Sequence, residues 1–248
     1  KALRMEDPSV LDADRLAGKS VALQGLGALE AVLFGAGGGA GQGQQASPHR
    51  CRFGMAIAAS LVRLARAVAD DWHRPDGHAR LWLEPGNGNP AYLKPSEPTL
   101  ALAKAYDRGI ERVRDGRIAA PLGLNAQQRK SPAALQASGR AMKLIAANIE
   151  GLIELLEAGG IREAMIATNV TDADVNVAPN AALIVRELET ARGIANELAS
   201  IARPFDDAAA KSRMIAMGFP LRNARIQAAA LLTLTAGLTL GFNSSDGD

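Results

Sequence analysis

Apolar residues in this chain recur at intervals of three and four, and the strict alternation of a half-buried strand is nearly absent. That period calls for helices packed on helices. Leu16, Leu23, Leu26 and Leu33 follow it, and Leu29 and Val32 widen the same face, so the spacing predicts a first helix over 12–34. Composition agrees: the chain is 48% hydrophobic and only 4% aromatic, with Ala and Leu dominant.

Punctuation divides the rest. Ser47-Pro48 joins a good N-cap to a proline at the first helical position, which predicts a second helix to about Trp72. The segment "GAGGGAGQGQQA", 35–46, before it is expected to hold no regular structure and reads as a mobile loop. A third helix is expected over 97–118. Ser131-Pro132 repeats the cap signature and predicts a fourth, to about 158. A short helix near 160–168, a long one over 178–202 and a last one over 206–240, broken near 218–220, complete the count. "RFGMAIAASLVRL", from Arg52, aligns with "RAMKLIAANIEGL", from Arg140: Ile57, Ala58 and Ala59 match Ile145, Ala146 and Ala147, and Leu64 matches Leu152. The expected fold is therefore all-α, two helical-bundle halves forming a duplicated up-down bundle. Residues 1–75 would be the remainder of the first bundle, 76–96 an irregular connection rich in proline and glycine, and 97–248 the second bundle.

Charge narrows the partners. With 28 basic and 26 acidic residues and no long basic run, nothing calls for nucleic acid. Cys51 is the only cysteine, which excludes an intrachain disulfide and a cysteine-based zinc site. With Phe53, Met55 and Ile57 after it, Cys51 reads as a core residue rather than a nucleophile. The most apolar stretch, 226–242, carries Gln227 and three threonines and reads as a buried helix, not a membrane span. The sequence opens at Lys1 with no signal segment and reads as a mature or trimmed product.

One position breaks the apolar pattern. Glu30 is the only acidic residue between Ser20 and His49, a stretch that also lacks Lys and Arg. It stands four residues after Leu26 and three before Leu33, on the expected apolar stripe. A carboxylate there needs a cation, a metal, hydrogen-bond donors or a proton. Two readings stay open: a satisfied interior carboxylate, or a ligand-binding or proton-handling group. Gly25 and Gly27 just before it suggest close backbone approach by a neighbouring helix or a bound group.

"ALQGLGALEAVLFG" resembles the signature segment of the imelysin family, the imelysin-like and insulin-cleaving metalloproteinase-like proteins. Many members carry Gly-x-His-x-x-Glu there. The resemblance continues in "RCRFGMAIAASL", "SGRAMKLIAANIEGL" and the closing "GFNSSDGD", and covers nearly the whole chain after about Leu16. It implies a two-part helical fold in a secreted, periplasmic or lipid-anchored bacterial protein, with a further helical segment usual upstream. It implies links to iron uptake and a nominal metallopeptidase activity, with iron or another divalent metal as cofactor and iron-transport components as partners.

Gly25 and Glu30 match the outer Gly and Glu of the motif, but Gly27 stands where the histidine would be. The motif's imidazole and carboxylate, three apart on a helix, form a plausible metal pair; one carboxylate alone makes a poor site, since a catalytic zinc takes three protein ligands. Glu30 is accordingly the one metal-ligand candidate. His49, His73 and His78 read as surface or capping residues. Ser138 and Arg140 are pocket candidates: Arg140 would either neutralise Glu30 or lie in solvent, and Ser138 has no local His or Lys to make it a nucleophile. Asn243 and Asp246, with Asp248, form either a hard-cation site or a C-terminal turn. The expectation is a non-enzymatic extracytoplasmic binding protein of iron or metal acquisition; the alternatives are a metallopeptidase and a structural or partner-binding module.

Overall fold

A computed structural model describes residues 7–35, 47–124, 131–167 and 177–236, and they contain helices and turns without a strand. The chain divides into two compact units. The first comprises Lys1–Glu84 with Ala134–Gly139, the second Pro85–Ala133 with Arg140–Asp248.

Unit 1 opens with a 3-10 turn, Pro8–Val10, followed by α1 (Ala13–Ala17), a second 3-10 turn (Val21–Leu23), α2 (Gly25–Phe34), α3 (Pro48–His73) and α4 (His78–Leu83). The single helix expected over 12–34 is thus three pieces. Gly25 has φ +79, a left-handed conformation that stops a helix and favours glycine. The break resets the helical phase, so spacing counted from Leu16 and Leu23 does not carry into α2. Leu26 and Leu33 are 68% and 42% exposed, while Ala28 and Val32 face the core. The stripe on which Glu30 was expected therefore lies outside the core, and Glu30 itself is half-buried.

The expected start of α3 is found: the Ser47 hydroxyl accepts the Arg50 N–H, and Pro48 takes the first turn. Val10, Leu16, Ala28, Val32, Phe53, Ala56 and Ile57 form the core of this unit. α2 rests closely on α3, since a Cβ on Gly54 would lie 3.3 Å from Val32 Cγ1. Arg50 is buried and donates from Nε to the Val32 carbonyl at 2.7 Å and from Nη2 to the Ala31 carbonyl at 3.3 Å, so a cation closes the C-terminal end of α2. Cys51, expected in the core, is exposed; the inward face of α3 is made by Phe53, Ala56, Ile57 and Ser60 instead.

Unit 2 begins with α5 (Ser96–Glu111), which runs into a π-helix, Arg112–Ala119, and a closing turn, Ala120–Leu122, ended by Gly123 at φ +72. It continues with α6 (Ala141–Glu157), α7 (Ile161–Ala167), α8 (Val177–Leu198) and α9 (Ala208–Ala236). Met142, Ile145, Ile149, Leu152 and Leu156 line one side of α6 and share one core with Ile184, Leu188, Ala191 and Ala195 of α8 and Met214, Met217, Leu221 and Ala224 of α9. Gly109 admits Leu152, whose Cδ2 would sit 2.7 Å from an added Cβ.

Two expectations change in this region. Ser131-Pro132 does not open a helix; 131–140 is non-helical and α6 starts at Ala141. Leu135 at φ +58 and Gly139 at φ +68 are incompatible with a right-handed helix there. α9 also runs unbroken through Pro220, because Met217, Leu221 and Ala224 on either side are buried. Packing outweighs the hydrogen bond that proline removes. Of the stretch 226–242, α9 holds residues to Ala236, and no helix among the described residues is long and apolar enough to cross a membrane.

Candidate functional site

The site is assembled within unit 1 by α2 and the segment Ala134–Gly139. Gln24 secures the entry to α2 by donating from Nε2 to the Lys19 carbonyl at 2.7 Å. One turn into the helix, Glu30 turns its carboxylate toward the segment. Oε2 accepts the Leu135 N–H at 3.1 Å, and Oε1 accepts the Ser138 N–H at 3.0 Å and the Ser138 hydroxyl at 2.9 Å. Left-handed Leu135 bends the backbone so that two amides, of Leu135 and Ser138, aim at one anion.

These donors supply what a half-buried carboxylate requires. Hydrogen bonds to a charged acceptor are the strong kind, and three of them offset its partial loss of water. The Ser138 hydroxyl has one proton and two acceptors in reach, Glu30 Oε1 and the Leu135 carbonyl at 3.1 Å. Its place is that of a clamp between helix and loop.

Gly27 lies one turn before Glu30 and is exposed; a Cβ there would meet nothing within 4 Å. Close helix packing does not explain this glycine, and neither does a backbone contact. The position is open to a side chain. Leu26 and Leu33 flank it as exposed apolar residues.

A metal at Glu30 would compete with donors already in place. Glu30 Oε1 and Oε2 already face N–H and O–H groups, which a cation would have to displace. Among the described residues no group of three or more His, Cys, Asp or Glu stands close enough to hold a metal ion. His49 Nε2 lies 3.1 Å from the Asp7 carbonyl, His73 Nδ1 lies 2.8 Å from the Ala69 carbonyl, and His78 Nε2 accepts the Trp82 indole N–H at 3.1 Å. Arg140 is exposed at the N-cap of α6. Asn243, Asp246 and Asp248 lie outside the described residues.

Sequence reasoning singled out Glu30 and Ser138 separately but did not join them, and it missed Leu135. A backbone amide looks alike in every sequence, so no residue type marks Leu135 as a donor. Arg50 was also missed, although a cation shortly after an apolar helix is a usable cue for a C-terminal partner.

Residues 2–238 match the family model described as Imelysin. No curated protein and no solved structure matches the chain.

Proposed function

Because the chain belongs to the imelysin family, we propose that it is a non-enzymatic binding component of iron or metal acquisition, working outside the cytoplasm beside iron-transport components, rather than a peptidase. What supports this reading is that Gly27 stands where the histidine of the resembled motif would be, while the Glu30 carboxylate is held by three donors from Leu135 and Ser138. A motif in that condition lacks an open coordination position with three protein ligands. It retains the capacity to fix the shape of the loop 134–139 beside the exposed Leu26, Gly27 and Leu33. The binding surface of this reading is that loop face, with Glu30 as its positioning residue.

The test has two arms. Calorimetry with ferrous, ferric and zinc ions, run on wild type and Glu30→Gln, reads binding; no affinity tighter than millimolar in the wild type overturns the metal-acquisition reading. A peptide and protein substrate panel with and without chelator reads activity; chelator-sensitive cleavage overturns the non-enzymatic reading. Gly27→His sharpens both, because the open position accepts the side chain. It places an imidazole one turn before Glu30 and is expected to tighten zinc binding about tenfold or more over wild type.

A further inference from the structure

The π-helix of unit 2 holds a pair of arginines for which the site on α2 has no use. A π-helix closes i to i+5 hydrogen bonds, so residues five apart come round to one face. Arg112 and Arg117 are such a pair. On an α-helix they would diverge by about 140°. Long π segments are rare and gather at functional sites.

The described surroundings leave this pair without a counter-charge. Arg114 is held by its neighbour, Nε to Asp115 Oδ1 at 2.7 Å and Nη2 to Oδ2 at 2.8 Å. Asp107 and Glu111 are taken by Arg225, at 2.7 Å from Nε to Asp107 Oδ1 and 2.9 Å from Nη2 to Glu111 Oε2. Among the described residues no carboxylate pairs with Arg112 or Arg117. Arg117 Nε is buried and has no hydrogen-bond partner among the described residues. Burial first, and the neighbouring Arg112 charge second, hold the Arg117 guanidinium below its ordinary value. Gly116 shapes the pair: a Cβ there would lie 3.1 Å from Arg112 Cδ and 3.5 Å from its Nε, so glycine lets the Arg112 side chain lie across the helix.

Two like charges near enough to repel, and a buried N–H unmet among the described residues, destabilise the bare protein. An anion bridging them reverses that, because the guanidinium fork matches the geometry of an oxyanion and its charge-assisted hydrogen bonds are strong. A dianion neutralises both cations where a monocarboxylate neutralises one. We propose that Arg112 and Arg117, with room made by Gly116, form a binding site for a doubly charged oxyanion of the phosphate class.

The probe is inorganic phosphate titrated into the full chain at constant ionic strength, with chloride as the matched control. Calorimetry and the thermal midpoint are both read. Phosphate should bind one per chain and raise the midpoint, and chloride should not. Arg112→Gln and Arg117→Gln should each weaken binding about tenfold or more, the range of a lost hydrogen bond to a charged group. Gly116→Ala should weaken it by pushing Arg112 aside. Without phosphate, both Arg→Gln variants should be as stable as wild type or more so, since each removes one of two like charges. A structural role for either arginine would instead lower the midpoint in both conditions, and that result overturns the proposal. So does phosphate binding no better than chloride, or variants that bind like wild type. Parallel arms with glycerol phosphate and with vesicles containing phosphatidic acid distinguish a free phosphorylated ligand from a lipid headgroup; loss in the Arg→Gln variants is the expected result in whichever arm binds.

Discussion

The two units solve the same problem by different means. Unit 2 carries a long, continuous apolar core in which α6, α8 and α9 interlock through Ile, Leu, Met and Ala. Unit 1 has a small core, and around it polar groups do much of the fastening: Arg50 on the end of α2, Glu30 on the loop 134–139, Ser47 on α3 and Asp12 on α1. In the second unit stability is spread over many similar contacts. In the first it rests on a few groups with specific partners, and the candidate site is built from those groups.

Substitutions can break or sharpen that contrast. The largest effect is expected in unit 2, where Ile149 is fully buried. Ile149→Ala should cost about 3 kcal/mol in a denaturant titration while leaving the loop 134–139 as protected from hydrogen exchange as in wild type. Glu30→Ala comes next. It removes the shared acceptor of Leu135 and Ser138, and should cost about 2 kcal/mol and abolish the exchange protection of those two amides. Loss of protection confined to α2 would contradict the role assigned to the carboxylate.

A smaller effect of opposite sign is expected at Tyr106. Its ring is buried in unit 2 and its hydroxyl has no partner among the described residues. Burial first, and the Glu157 charge second, push that hydroxyl well above its ordinary value. Tyr106→Phe deletes an unmet polar group without changing the packing and should raise stability by about 1 kcal/mol, read as a higher thermal midpoint. The smallest effect concerns acid. Backbone N–H donation from Arg15, then from Asp14, and a nearby Arg15 charge hold Asp12 below 3.8, and hydrogen bonds from Ser9 hold Asp7 below the same value. A lowered carboxylate contributes stability above its unfolded value and loses it as pH falls through the folded one. Protection of the Ser9, Asp14 and Arg15 amides, taken relative to their intrinsic exchange at each pH, should therefore fall below about pH 4, ahead of protection in α6.

Much of this fold was legible in the sequence, and the failures have physical causes. Ser47-Pro48 marked the start of α3, because capping is local and a side-chain oxygen reaches the amide three residues on. The same pair at Ser131-Pro132 marked nothing, because Leu135 and Gly139 take left-handed φ there, and the Leu135 and Ser138 amides go to Glu30 from far away in the chain. Pro220 read as a break, yet buried neighbours on both sides carry α9 through it. The break at Gly25 was invisible to spacing, since Leu16, Leu23, Leu26 and Leu33 keep a helical interval whether or not the helix is continuous. The π-helix left no trace either; apolar spacing over Arg112–Ala119 does not separate five-residue from four-residue closure. For the site, residue types flagged Glu30 and Ser138 individually. Their pairing is a property of topology, which no local pattern records.

The contact between Glu30 and Ser138 also bears on how the protein is made. Unit 1 is discontinuous: the whole of Pro85–Ala133 is synthesised between α4 and the segment that Glu30 holds. A growing chain tends to fold from its N-terminus. α1 to α4 therefore leave the ribosome well before their last partner, and during that interval the carboxylate has only water to bind. Closing so long a gap is tolerable, because the entropy of loop closure rises slowly with length. Unit 1 is thus begun first yet completed only after part of unit 2 exists, and a nascent chain halted just short of Leu135 carries an α2 that one released beyond Ser138 has already tied down.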